Sequence, residues 1–217
     1  MKIGVLDIQG SVEEHFASLQ KLKGVEAVLV KKIADLKDVR GLIIPGGEST
    51  TIGKLLRRFG LAEEIGKRFA DGKLAIWGTC AGAILIAREI VGREQADSLK
   101  LMDITVERNA YGRQLDSFET ELDFDFGSDG VQKIPAVFIR APRISKVAKK
   151  AEILAKYDGE IVSVRDGKLL ATTFHPEMTD DLRVHQYFAN MCGLILSSSA
   201  FSSAKCCQCS SFYVFNC

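Results

Sequence analysis

Hydrophobic positions change their period several times along the chain, and each change predicts an element. Lys2 to Ile8 is an apolar run of strand length. Gln9-Gly10 interrupts it, and Val12, Phe16, Leu19 and Leu22 then recur at helical spacing until Gly24. Val25 to Val30 predicts a second strand. Leu42 to Ile44, wholly apolar, predicts a third. This order argues for a parallel sheet with helices on its faces. Ile52, Leu55, Leu56 and Phe59 form the stripe of a helix that Gly60 ends, with Ser49 or Thr50 as its cap. Leu61, Ile65 and Phe69 predict another helix, which stops near Asp71-Gly72.

The segment from Lys73 to Ile90 is the most informative. Leu74 to Trp77 reads as a buried strand, Gly78-Thr79-Cys80-Ala81-Gly82 as a sharp turn, and the residues after the turn as an apolar helical pattern. Farther on, LMDITVE and SFETELDF alternate with period two between Leu101 and Phe126, which predicts antiparallel edge strands. Between them lies a polar loop, Arg108 to Gln114. Ala136 to Ile139, Ile153 to Tyr157, Ile161 to Val164 and Leu169 to Phe174 predict further strands. Turn signals fall at Asp158-Gly159 and Asp166-Gly167. Leu182 to Leu196 closes the pattern as a helix. With no internal repeat and no linker, residues 1–197 read as one three-layer α/β domain. Its central sheet is mostly parallel, with small antiparallel additions. Residues 198–217 turn abruptly to Ser and Cys without a period. They read as an appendage, disordered or foreign to the domain.

Composition narrows the function classes. The chain has 217 residues, 47% hydrophobic and 26% charged, with a net charge of +1, so nothing implies a nucleic-acid or membrane partner. MKIGVLDIQG lacks the features of a signal peptide, and no run is long enough to span a bilayer. A cytoplasmic location is the expectation. Of six cysteines, Cys80 and Cys192 lie in the body, and Cys206, Cys207, Cys209 and Cys217 crowd the end. That is no disulfide framework for the chain. The terminal cluster has no His or acidic residue among it to suggest zinc.

Cys80 stands in a Gly-x-Cys-x-Gly frame between a strand and a helix, the form of a nucleophile elbow. An inert buried thiol is the usual fate of a lone cysteine. The frame argues instead for a nucleophile near a helix N-terminus. Three histidines could serve as its base: His15, His175 and His185. Only His175 sits just past a core strand end, where functional groups gather in open α/β sheets. Glu177 lies two residues on, with Pro176 between them, and could orient the imidazole and stabilise its charge. A solvated acid is the other reading of Glu177. His15 and His185 read as packing or surface residues. Oxyanion donors would be the N–H of Ala81 and those exposed in Gly46-Gly47, unless the two glycines serve only a tight turn.

At these residues the chain resembles the class I (triad-type) glutamine amidotransferases, and within them the glutaminase subunits of pyridoxal 5′-phosphate synthase. The resemblance rests on GVLDIQGSVEEH at 4–15, PGGESTTIGKLL at 45–56, GTCAGAILIA at 78–87, ERNAYGRQLDSFE at 107–119, FIRAP at 138–142 and FHPE at 174–177. It implies a flavodoxin-like fold, with Cys80 as nucleophile, His175 as proton carrier and Glu177 as its orienting acid. Gly47 and Ala81 would supply the oxyanion N–H groups. Gly46, Gly47, Glu48, Ser49, Arg108, Ile139 and Arg140 would hold glutamine. An arginine fork suits an α-carboxylate, although composition alone would make each arginine an ordinary surface or ion-paired residue.

The implied reaction is hydrolysis of L-glutamine to L-glutamate and ammonia through a thioester, with no metal or organic cofactor. The implied partner is a (β/α)8-barrel synthase subunit that uses the ammonia to build pyridoxal 5′-phosphate. It would dock on the face bearing Gln9-Gly10 and the 45–50 loop. The chain departs from the family at Asp7-Ile8, where Ala-Leu is common, and in the Cys-rich end. Three alternatives are the glutaminase subunit of another amidotransferase, such as imidazole glycerol phosphate synthase, a cysteine peptidase with the same elbow, and a non-catalytic regulatory subunit.

Overall fold

The computed structural model describes residues 1–92, 97–108 and 117–194. The predicted polar loop beyond Arg108, the end of the last helix and the 198–217 appendage lie outside the described residues.

Five strands form a parallel layer: β1 (Lys2–Leu6), β2 (Glu26–Val30), β3 (Val39–Ile44), β4 (Ala75–Thr79) and β12 (Leu169–Thr172). Their order is β2-β1-β3-β4-β12, and every neighbour in it is parallel. The apolar runs of the sequence account for this layer, because a strand covered on both faces has no polar side to present. Successive side chains then serve opposite cores. Ile3, Val5, Ile43 and Trp77 face α1 (Val12–Gln20) and α5 (Arg183–Met191). Leu6, Leu42, Ile44 and Ile76 face α2 (Ser49–Arg58), α3 (Leu61–Ala70) and α4 (Ala81–Ile86). This is the three-layer arrangement that the periodicity predicts. No described helix is long and apolar enough to cross a membrane.

The rest of the sheet is largely antiparallel. β11 (Glu160–Asp166) turns back from β12, and β10 (Glu152–Tyr157), β7 (Ser117–Asp125) and β8 (Val131–Ile139) continue outward from it. A branch of β5 (Ala87–Val91), β6 (Met102–Glu107) and β9 (Arg143–Val147) joins β11 through Ile144 opposite Ile161.

Three details depart from the sequence reading. The apolar pattern after Cys80 is helical only to Ile86 and then becomes β5. Neither β6 nor β7 is an edge strand: β6 pairs β5 in parallel and β9 in antiparallel fashion, and β7 lies between β10 and β8. β9 itself escaped prediction, because its pattern alternates with charged residues that pair across the sheet. Arg143, for example, donates to Glu107 at 2.6 Å and to Glu160 at 3.2 Å.

Candidate active site

The parallel strands deliver the site to their carboxyl ends. β4 is buried throughout and ends at Thr79, and α4 begins at Ala81, so Cys80 must turn the chain by itself. It does so at φ +48° and ψ −105°, a region few side chains occupy. A conformation of that kind typically stores about 1–3 kcal/mol. The surroundings hold it there: the Cys80 N–H donates to the Thr172 carbonyl at 2.8 Å. The flanking glycines are a packing requirement. A Cβ on Gly82 would lie 1.9 Å from the Ile44 carbonyl oxygen, and one on Gly78 would lie 2.4 Å from the backbone of Gly82. Cys80 is buried, and its thiol faces the Ile139 carbonyl at 3.8 Å.

His175 lies just after β12, and its N–H donates to the Val137 carbonyl at 2.8 Å. Its ring meets Cys80 on one side and Glu177 on the other, with Nδ1 2.7 Å from Glu177 Oε1. Burial works against the imidazolium. Hydrogen bonds and charge from Cys80 and Glu177 outweigh it and hold His175 up at about 10. Glu177 lies in the short 3₁₀ turn Pro176–Met178, with no side-chain exposure. Burial should raise its pKa. Hydrogen bonds from His175 and Ser11, and the charge of His175, bring it down to about 2. The predicted Cys80–His175–Glu177 line is therefore assembled.

Gly46 closes over this line. A Cβ there would sit 2.4 Å from His175 Cε1 and 3.4 Å from Cys80 Cβ. The Gly46 carbonyl accepts from the Ser11 N–H at 3.1 Å, and the peptide joining Gly46 to Gly47 is trans, so the Gly47 N–H points away from Ser11. Glu48 corrects the capping prediction. The cap of α2 is neither Ser49 nor Thr50 but Glu48, whose carboxylate accepts from Thr50 N–H at 3.1 Å and Thr51 N–H at 2.7 Å. Its longer side chain reaches back over the first turn to the unpaired amides. Ser49 is instead buried at the start of the helix.

Gln9 Oε1 accepts the Glu48 N–H at 2.9 Å. Arg108 leans on the same loop, 3.5 Å from Glu48 Oε1 and 3.4 Å from Thr50 Oγ1. Ile139 offers its carbonyl to Cys80, and Arg140 comes next, exposed and at φ +44°. Of the predicted substrate residues, Gly46 and Ile139 lie against Cys80, while Glu48 and Arg108 contact each other on the loop that follows Gly46. Asp7, where the chain departs from its family, ion-pairs with Lys31 at 3.1 Å.

The sequence reading missed what stands behind Glu177. His15 and His185 are fully buried, not surface residues, and their rings join at 3.0 Å between His15 Nδ1 and His185 Nε2. His15 Nε2 lies 3.1 Å from Thr79 Oγ1 and 3.3 Å from Glu177 Oε2. Ser11 Oγ donates to Glu177 Oε1 at 2.6 Å. Burial lowers the pKa of both histidines, that of His185 to about 3, so both are neutral. A signal was present, since His15 falls on the Val12–Leu19 stripe of α1, a polar residue on an apolar face.

Comparison with known proteins bears on the family and the fold. The model of the SNO glutamine amidotransferase family matches residues 5–194. The pyridoxal 5′-phosphate synthase subunit PdxT of Pseudothermotoga lettingae is 52% identical over 194 residues, which are 89% of this chain and 97% of that protein. PdxT of Geobacillus sp. strain WCH70 is 52% identical over 191 residues, covering 88% and 96%. A solved structure described as a glutamine amidotransferase superposes with a TM-score of 0.83 at 46% identity, over 88% of this chain and 99% of its own.

Proposed function

This chain belongs to the SNO glutamine amidotransferase family, and from that premise we propose that it is the glutaminase subunit of a pyridoxal 5′-phosphate synthase. It hydrolyses L-glutamine to L-glutamate and ammonia. One observation carries the reading. The thiol of Cys80, on a strained strand-to-helix corner, is joined to an imidazole that a fully buried carboxylate holds at 2.7 Å.

The protonation states dictate the chemistry. The sulfur attacks the carboxamide carbon, and charge develops on the carboxamide oxygen. The N–H groups of Ala81, just past the nucleophile, and of Gly47 are its donors in this reading. His175, held protonated by its two neighbours, gives its proton to the leaving nitrogen, and ammonia departs. The thioester left on Cys80 is opened by a water whose proton His175 takes. Glutamate leaves and the sulfur is restored. Glu177 stays ionised throughout and stabilises the imidazolium. Arg108 and the Ile139-Arg140 pair surround the amino-acid end of glutamine, where either arginine can pair with the α-carboxylate, and Glu48 and Ser49 help hold the substrate.

Most ammonia is protonated at neutral pH and is then no nucleophile, so direct delivery to an acceptor subunit is useful. We assign that acceptor to a (β/α)8-barrel synthase docked on the face of Gln9-Gly10 and the 45–50 loop, in the cytoplasm. The test is Cys80→Ala in a glutaminase assay with and without the synthase subunit. Ammonia release should vanish while folding and synthase binding persist. Hydrolysis at the parent rate would overturn the assignment.

A further inference from the structure

Glu177 has no side-chain exposure, and its two oxygens are served unequally. Oε1 has His175 Nδ1 at 2.7 Å and the Ser11 hydroxyl at 2.6 Å. Oε2 is buried without a close hydrogen bond. Among the described residues one candidate donor faces it, His15 Nε2 at 3.3 Å. A bare anionic oxygen in a protein interior is strongly disfavoured. The orientation of Glu177 therefore depends on which atom of His15 carries the proton.

The neighbouring ring decides that. His15 Nδ1 and His185 Nε2 are 3.0 Å apart, so one donates and the other accepts. If His15 donated from Nδ1, its Nε2 lone pair would point at the carboxylate and repel it. His185 would then carry its only proton at Nδ1, where it has no partner. If His185 donates from Nε2, His15 carries its proton at Nε2, toward Glu177 Oε2 and Thr79 Oγ1. The unpartnered His185 Nδ1 is then an acceptor, and a bare buried acceptor is better tolerated than a bare donor. The second arrangement leaves no repulsion. Trp77 packs against both rings, at 5.4 and 5.0 Å between centroids, and holds them in place.

We propose that His15, with its proton held at Nε2 by His185, is a positioning residue for the hydrolysis. It covers Glu177 Oε2 and so keeps Oε1 aimed at His175. The proposal rests on the roles assigned to Cys80, His175 and Glu177 in the proposed function. His15 is fully buried and faces Glu177, so it acts through that residue and not on the substrate. The other titratable groups acting on these residues are His175, Glu14 on α1, and Asp181 near His185.

The test uses the full chain with its synthase subunit. The pH dependence of kcat is measured for the parent, His15→Phe, His15→Gln and His185→Phe. The pH dependence of iodoacetamide alkylation, read at the Cys80 peptide by mass spectrometry, is measured alongside. Gln at 15 can place an N–H where Nε2 stands, and Phe cannot. His15→Phe should lower kcat at neutral pH about ten- to a hundredfold, the effect of a lost hydrogen bond to a charged group. KM for glutamine should stay within about twofold. The acid limb of both profiles should move to higher pH as Glu177 becomes easier to protonate. His15→Gln should restore most of kcat and return the acid limb. His185→Phe should shift the limb in the same direction by less.

Unchanged kcat and profiles in folded His15→Phe would overturn the proposal, as would His15→Gln no better than His15→Phe. Should His15→Phe fail to fold, His185→Phe decides: an unmoved acid limb refutes the role of the pair. If the parent itself released no ammonia, the glutaminase reading would fall, and the shift in Cys80 alkylation would still judge His15.

Discussion

Two carboxylates flank the elbow, and both are held at about 2, for different reasons. Burial opposes ionisation at each. Glu177, with no side-chain exposure, overcomes it through the histidines packed around it and the Ser11 hydroxyl. Glu48, half exposed, overcomes it through the Thr51 hydroxyl and the first amides of α2. The inner carboxylate is tied to the ring of His175 and the hydroxyl of Ser11. The outer one is tied to a helix end and to Arg108. The same pKa therefore arises from a buried network beside Cys80 on one side and from a helix cap on the other, and under the proposed function only the first bears on the chemistry. A shifted pKa identifies a role only together with the atoms that shift it.

Charge removal should separate the two sides most sharply. Glu177→Gln keeps the shape and removes the charge that His175 needs. It should lower kcat by about 10²- to 10⁴-fold, as loss of the orienting acid does in comparable triads. Glu48→Gln in the same steady-state assay should change kcat by less than about tenfold. Equal losses in the two variants would break the comparison.

The inner side should also govern the response to pH. His15 and His185 resist protonation in the fold, so acid favours the unfolded chain. Their contribution is present above their ordinary value of 6.5 and is lost as the pH falls toward the lowered folded values, about 3 for His185. His175 has the opposite sign. Its contribution is complete below 6.5 and is lost as the pH rises through about 10. The carboxylates Glu48 and Glu177 lose their contributions only as the pH falls from 4.5 toward 2. Thermal unfolding should therefore show a maximum near neutral pH. The acid decline between pH 6.5 and 4.5 should be absent from a folded double variant lacking both His15 and His185. A decline that persists in that variant would assign it elsewhere.

On the outer side the effects should be smaller and should fall on binding. Arg108→Ala should raise KM for glutamine by about tenfold or more, the loss of one charge-assisted contact, with kcat within a few-fold. An unchanged KM would remove Arg108 from the substrate site. Glu48→Ala should lower stability by about 1 kcal/mol, the usual effect of losing a cap, measured by urea unfolding. No change in the midpoint would mean that the amides of Thr50 and Thr51 find other acceptors.

The legible and illegible parts of the site divide along the same line. Cys80, its glycine frame and the strand before it lie within a few residues of one another, and local backbone rules connect them. His175 and Glu177 were readable because both sit directly after a strand that ends at the same sheet edge. Ser11 and His185 carry no such local mark, and the place of His15 on the apolar stripe of α1 does not say which group it meets. His15 and His185 are 170 positions apart and meet only because α1 and α5 cover the same face of the sheet. β9 was hidden because its charged positions find partners across strands. The cap on α2 was misassigned because Ser and Thr are the commoner caps, and only the loop's path let a glutamate reach the amides.

The order of elements, the elbow and the choice of candidate reacting groups are properties of short stretches, where steric limits on the backbone and the period of burial act directly. The sequence alone determined those. Which atom each group faces, and so its proton state, was decided by the tertiary structure. Desolvation and the direction of a hydrogen bond depend on residues that folding brings together from opposite ends of the chain.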